Sequence, residues 1–197
     1  GGRFTLGTAV GHLEKEFEAL NVPFEKRGQM TDEYLRVLKE AWTADKPSFD
    51  GEFVKFRDVV IEPKPIQKPH PPIFIGGNSK PAMRRAAKFG DGWIPWLVTA
   101  ETLPECIGYM KGLPEYQAKA DRFEILVTTT TYAQDDHHRA YGKTHLSADR
   151  DGVLREIEGL KKAGATSVQV RPPNTDTLEQ CLEWLEWYDQ EIIPQFR

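Results

Sequence analysis

From Pro72 onward the chain repeats one pattern: a short apolar run, a glycine-marked or polar turn, then a segment with helical periodicity. Ile73-Phe74-Ile75 passes through Gly76-Gly77-Asn78-Ser79 into a helix expected over 80–89 and stopped by Gly90. Gly92-Trp93-Ile94 precedes a helix near 100–111 carrying Leu103, Ile107 and Met110. The alternating run Glu124–Tyr132 precedes a helix over 149–163, with Val153, Leu154, Ile157 and Leu160 on one face and Gly164 closing it. Ser167–Arg171 precedes a last helix, where Asp176 and Glu179 are spaced as a capping box and Leu178, Leu182 and Leu185 are the apolar positions. The same order opens the chain: Phe4-Thr5-Leu6-Gly7, then Leu13, Phe17 and Leu20 at helical spacing. Five strand-then-helix units predict a parallel α/β sheet or a (β/α) barrel and exclude all-α and all-β folds. Ile73-Phe74-Ile75 lacks alternation, as expected of a strand covered on both faces.

One insertion breaks the rhythm. A second helix is expected to start near Thr31-Asp32-Glu33, where acidic side chains suit the positive end of the helix dipole, and to bury Tyr34, Leu38 and Ala41 with Leu35 and Trp42 alongside. Phe49-Asp50-Gly51-Glu52-Phe53 reads as a hairpin, followed by Val59-Val60-Ile61. Pro63, Pro65, Pro69, Pro71 and Pro72 then exclude helix and demand an extended connection. The organisation expected is one domain over 1–197, with a hairpin and Pro-rich insertion at about 45–72.

Charge narrows the function. Twenty-six basic against 30 acidic residues give a net charge of −4, which lacks the basic field that nucleic-acid binding needs. No run approaches the ~18 apolar residues of a membrane span. Cys106 and Cys181 form no CxxC pair and are expected as reduced thiols of a cytoplasmic protein.

In parallel α/β folds the loops at the carboxyl ends of strands carry the chemistry. The Gly76-Gly77-Asn78-Ser79 turn joins an apolar strand to a helix with Pro81 just inside it. Glycines permit close backbone approach to an anion, and a helix start supplies N–H groups and a positive dipole end. The same string is also an ordinary turn with a serine cap, and it lacks the P-loop spacing. His12, after the first strand, is either a proton donor or hydrogen-bond partner for a ring held at the strand ends, or a surface helix cap. Trp93 and Trp96 bracket a short strand as pocket walls or as core. Asp135-Asp136-His137-His138 with His145 lies in a polar loop and is read as solvated, so no metal site is expected. The glutamates 14, 16, 18, 183 and 186 are read as solvated helix faces.

Several stretches together resemble one family. They are Gly1–Gly7, Glu16–Leu20, Pro23-Phe24-Glu25-Lys26-Arg27-Gly28, Thr31–Leu35 with Trp42, Pro63–Ser79, and Gly90-Asp91-Gly92-Trp93. The chain is similar to the luciferase-like monooxygenases of the bacterial-luciferase superfamily, above all their deazaflavin-dependent branch. That resemblance implies a (β/α)8 TIM-barrel fold, of which this chain is the C-terminal five units and lacks the first three. It implies coenzyme F-420, a deazaflavin, as cofactor, with FMN as the alternative. It implies a small-molecule substrate and a homodimer. It assigns cofactor phosphate binding to Gly76, Gly77, Asn78 and Ser79, and a place near the cofactor or an oligomer interface to Arg27. His12 stands where some relatives carry a catalytic Glu, and Ala9 where a Gly is usual.

The activity expected is hydride transfer or oxygen-dependent monooxygenation on a small organic substrate. The rival class is a non-catalytic binding or partner subunit of the same fold. A phosphosugar enzyme would use the same loop but needs a Lys or a Glu pair at strand ends, which the sequence does not offer.

Overall fold

The computed structural model describes residues 1–129, 150–170 and 177–196. The chain divides into two compact units, one formed by Gly1–Trp93 with Leu113–Phe123, the other by Ile94–Gly112 with Glu124–Arg197.

In the first unit, strand β1 (Leu6–Thr8) pairs in parallel with β4 (Ile73–Gly76), in the register Leu6↔Ile73 and Thr8↔Ile75. Strand β5 (Gly92–Ile94) lies on the other side of β4. Strand β4 is therefore flanked on both sides, and its two faces differ: Ile73 and Ile75 on one are fully buried, whereas Phe74 on the other is half-buried, so the apolar run is not covered equally on both faces as expected. Helix α3 (Lys80–Phe89) returns over the sheet and buries Ala82, Met83, Ala86 and Ala87. Gly90 ends it where a side chain would press on Ala86 O, Gly92 O and Ile75, each 3.0 Å from a Cβ.

Helix α1 is short (Glu14–Ala19) and buries nothing, although Phe17 meets Phe24 edge-on at 5.2 Å. Helix α2 (Arg27–Thr43) starts a turn before the expected Thr31. Its buried positions are Met30, Glu33, Leu35 and Ala41, whereas Tyr34, expected inside, is exposed. Glu33 is no helix-start carboxylate. It is 3% exposed and accepts the backbone N–H groups of Glu52, Phe53 and Val54 at 2.8, 2.8 and 2.7 Å. Burial pushes this carboxyl's pKa up. The donors at Val54, Phe53 and Glu52, together with the nearby Arg36 charge, outweigh that effect and hold it below its ordinary 4.5. The contact fixes the hairpin β2 (Phe49–Asp50) with β3 (Lys55–Phe56) onto α2. Gly51 leaves room for this contact, because a Cβ there would sit 2.3 Å from Glu33 Oε1 and displace the carboxylate from its donors.

The hairpin closes on Lys55–Phe56 rather than at Phe53, and Val59–Ile61 form no strand. The Pro-rich stretch forms neither helix nor strand, as its prolines require, but it is not the extended connection expected: the chain bends at Pro63 and again over 66–70, with cis bonds before Pro63 and Pro69. Lys64 Nζ ties it to the carboxyl end of α2, donating to Ala41 O at 3.0 Å and Ala44 O at 2.6 Å. Helix α5 (Pro114–Gln117) also belongs here, with Tyr116 edge-on to Phe123.

The second unit holds α4 (Leu103–Lys111), β6 (Glu124–Thr128), α6 (Arg150–Ala163), β7 (Ser167–Gln169) and α7 (Leu178–Glu191). Strands β6 and β7 run parallel, with Val127 opposite Val168. Gly164, at φ 109°, closes α6, and Ala165 N–H donates to Leu160 O at 3.0 Å, completing a left-handed helix stop. A core of Val153, Ile157 and Ile192 is covered by Trp184, Trp187 and Tyr188 of α7. The expected apolar positions of α7, namely Leu178, Leu182 and Leu185, are instead exposed. The glutamates 14, 16, 18, 183 and 186 are exposed, as expected. Residues 130–132 of the expected strand, Arg171, Asp176, and the Asp135–His138 segment with His145 lie outside the described residues.

Candidate functional site

Parallel pairing of β1 and β4 brings the loop after Thr8 and the turn after Gly76 to the same, carboxyl rim of the sheet. At that rim the chain leaves β4 through Gly77 at φ 111°, a conformation that only glycine adopts without strain. Ser79 is extended (φ −70°, ψ 151°) and caps α3, its Oγ accepting the Ala82 N–H at 3.3 Å. Pro81 opens the helix and has no N–H to satisfy. Asn78, Ser79 and Lys80 are exposed at this helix head. The first turn of α3 contains no acidic residue.

The donor set is therefore backbone N–H groups, a hydroxyl, a lysine and the positive end of a helix dipole. That chemistry fits a phosphate group and disfavours a cation.

The turn is braced from below. Trp93, fully buried in β5, donates its indole Nε1–H to Gly77 O at 2.7 Å. Asp91 grips the start of β4 twice: its N–H donates to Ile73 O at 2.7 Å, and its Oδ2 accepts Ile73 N–H at 2.9 Å. Lys119 Nζ donates to Gly90 O at 2.5 Å, and burial lowers its pKa despite the opposing Asp91 charge. Arg85, 8% exposed in the middle of α3, donates through Nε to Asp32 Oδ1 and through Nη2 to Gly28 O at 3.0 Å. The helix that presents the turn is thereby fastened to α2.

The remaining sequence-chosen residues fall in different places. His12 is exposed in the loop after β1, on the same rim as Gly76–Ser79. Arg27 stacks over Phe24, 3.7 Å from the ring centroid, and donates to Phe24 O at 2.8 Å. It borders a cavity of 280 Å³ walled by Ala9, Val10, Phe17, Met30 and Leu35, and its buried Nε has no hydrogen-bond partner. Trp96 is 39% exposed and belongs to the second unit. Trp93 occupies a place unlike a pocket wall, being enclosed beneath the turn. Among the described residues no cluster of His, Cys, Asp and Glu could hold a metal. Among them, too, no helix is long and apolar enough to cross a membrane.

Sequence reasoning passed over Glu33, Arg85 and the Trp93 indole bond. Only the last left a signal, a buried-type aromatic two residues after the Asp that pairs with β4.

A parallel α/β fold with a glycine-opened, serine-capped helix head at its carboxyl rim is the architecture in which phosphorylated ligands are held. The sequence model of the luciferase-like monooxygenases matches residues 1–182, and the chain belongs to that family. An FMNH2-dependent dimethylsulfone monooxygenase of Pseudomonas putida is 32% identical over 177 residues, covering 85% of this chain and 47% of that protein. An uncharacterized protein of Mycobacterium tuberculosis is 29% identical over 194 residues, covering 98% of this chain and 62% of that protein. The chain thus spans about half to three-fifths of the length of these relatives.

Among solved structures, the coenzyme F420-dependent tetrahydromethanopterin reductase of Methanopyrus kandleri aligns with a TM-score of 0.73 at 16% identity, covering 100% of this chain and 75% of that one. The monooxygenase RslO1 of Streptomyces bottropensis gives 0.71 at 18% identity, covering 100% and 70%. At these identities the likeness is one of fold: α/β, with parallel strands, as in luciferase-like TIM-barrel enzymes.

Proposed function

We propose that the chain is the phosphate-anchoring part of a deazaflavin-dependent oxidoreductase acting on a small organic substrate. The observation that carries this reading is the Gly77–Ser79 turn: a positive-φ glycine, a serine cap and an acid-free helix start on the carboxyl rim of a parallel sheet. Gly76 and Gly77 let the backbone approach the phosphate. The N–H groups of Asn78, Ser79 and Lys80 and the Ser79 hydroxyl donate to it. Lys80 adds a positive charge at the helix head. His12, on the same rim, is the group proposed to give or take a proton at the substrate. A bound deazaflavin supplies hydride chemistry, and the residues above orient it rather than react.

The choice of deazaflavin is supported by similarity of fold to an F420-dependent reductase and an F420-dependent secondary alcohol dehydrogenase. FMN is the second reading, favoured by the FMNH2-dependent relative at 32% identity, and would carry oxygen-dependent monooxygenation on the same anchor. Titration with each cofactor, followed by fluorescence and absorbance, tests the assignment. Tighter binding of coenzyme F420 is expected. A clear preference for FMN overturns the deazaflavin choice, and binding of neither overturns the function.

A further inference from the structure

We propose that Trp93 is a positioning residue that sets the polarity of the phosphate cradle by holding one peptide plane. The proposal rests on the phosphate-anchor reading of Gly76–Ser79 given above.

Trp93 is 0% exposed, so its indole N–H must find an acceptor inside the protein, and it finds Gly77 O at 2.7 Å. In a planar trans peptide the carbonyl of one residue and the N–H of the next point in opposite directions. Drawing Gly77 O toward the buried indole therefore turns the Asn78 N–H away from it, toward the exposed side of the turn where Asn78 and Ser79 lie. The direction matters because a glycine permits the alternative. Gly77 at φ 111° tolerates a wide range of backbone angles, so the Gly77–Asn78 peptide can flip if nothing holds it. The flipped plane would present a carbonyl oxygen to the anion and point the donor at the core. One buried hydrogen bond thus decides whether the rim offers a donor or an acceptor. Asp91 assists from two residues upstream, because its two hydrogen bonds to Ile73 hold the start of β5 alongside β4 and fix the height of the indole.

The test removes the N–H and keeps the shape. Trp93 is replaced, by site-specific incorporation, with the benzothiophene analogue of tryptophan, in which sulfur stands for Nε1–H. Dissociation constants are measured on the full chain for FMN against riboflavin, and for coenzyme F420 against its dephosphorylated chromophore. The unaltered chain is expected to hold the phosphorylated member of at least one pair more tightly. The analogue should lose about tenfold to a hundredfold of that preference, the worth of a hydrogen bond to a charged group. Affinity for the phosphate-free member should stay unchanged. An analogue that keeps the full preference overturns the proposal. So does equal weakening of both members, which marks a general packing role. If the unaltered chain shows no phosphate preference in either pair, the anchor reading itself fails, an outcome visible before any substitution is made. Trp93→Phe gives a second removal of the N–H, and it should lose the same preference.

Discussion

Gly77→Ala tests the turn that defines the site. The backbone there sits at φ 111°, and a non-glycine residue held in such a region costs about 1–3 kcal/mol. Space adds to the cost: a Cβ at Gly77 would lie 3.2 Å from the Cβ of Ala82, which is buried in the first turn of α3 and has little room to retreat. For a chain of this size, each kcal/mol lowers the melting temperature by roughly 2–4 °C. The substitution should therefore lower it by about 2–12 °C in a thermal melt followed by circular dichroism at 222 nm. The control is Gly108→Ala in the middle of α4. No heavy atom lies within 4 Å of a Cβ there and no positive φ is required. It should raise stability by about 0.5–1 kcal/mol, the helical advantage of alanine over glycine. The melts are then repeated with saturating cofactor. Ligand at about 100 times its dissociation constant should stabilise the unaltered chain by roughly 2.7 kcal/mol. The Gly77 variant should show a much smaller increment, and the Gly108 variant the full one. If Gly77→Ala melts within a degree of the parent and keeps the whole increment, the turn neither needs its left-handed residue nor holds the ligand.

Other outcomes follow from the groups that brace this turn. Asp32→Asn should destabilise more than Arg85→Met in urea titrations. The first leaves a buried guanidinium with a weakened partner, by about 2 kcal/mol, while the second substitutes apolar volume for charge; equal losses would contradict the pairing. Glu33 contributes stability above the unfolded carboxylate value near 4.5, lost as pH falls through its lower folded value. Glu33→Gln should thus lower the urea midpoint at pH 7 and flatten its fall between pH 5 and 3, and an unchanged slope would dismiss the carboxylate's role. Burial, with Glu105 beside it, raises the Cys106 thiol pKa, so labelling of Cys106 by a disulfide reagent at pH 7.5 should run slower than that of a free thiol peptide. Labelling at the peptide's rate would contradict the buried setting.

What the sequence disclosed was local. The unbroken Ile73-Phe74-Ile75 run, the glycine stops at Gly90 and Gly164 and the serine cap at Ser79 are each written within a few residues, and each is found in place. What it concealed was decided across distance. Thr31-Asp32-Glu33 imitates a helix start, yet Glu33 answers to donors in a hairpin far along the chain, and Asp32 to an arginine on another helix. Helix α7 carries two apolar stripes, and its Trp184, Trp187 and Tyr188 side reached the core while the leucines did not. Spacing alone cannot choose between two such stripes. For the site, the turn was legible and its brace was not. An indole N–H of β5 and a carbonyl of the turn after β4 meet at 2.7 Å, and nothing local couples them.

Glu33 and Gly51 compete for one volume, since the carboxylate fills the space a side chain at 51 would need. The two positions are therefore coupled. While the glutamate stays, any side chain at 51 must push its carboxylate off the three backbone donors that hold it. Once the glutamate is exchanged for a short residue, position 51 is released and the hairpin must find another anchor. A change at only one of the two positions would leave a loosened hairpin.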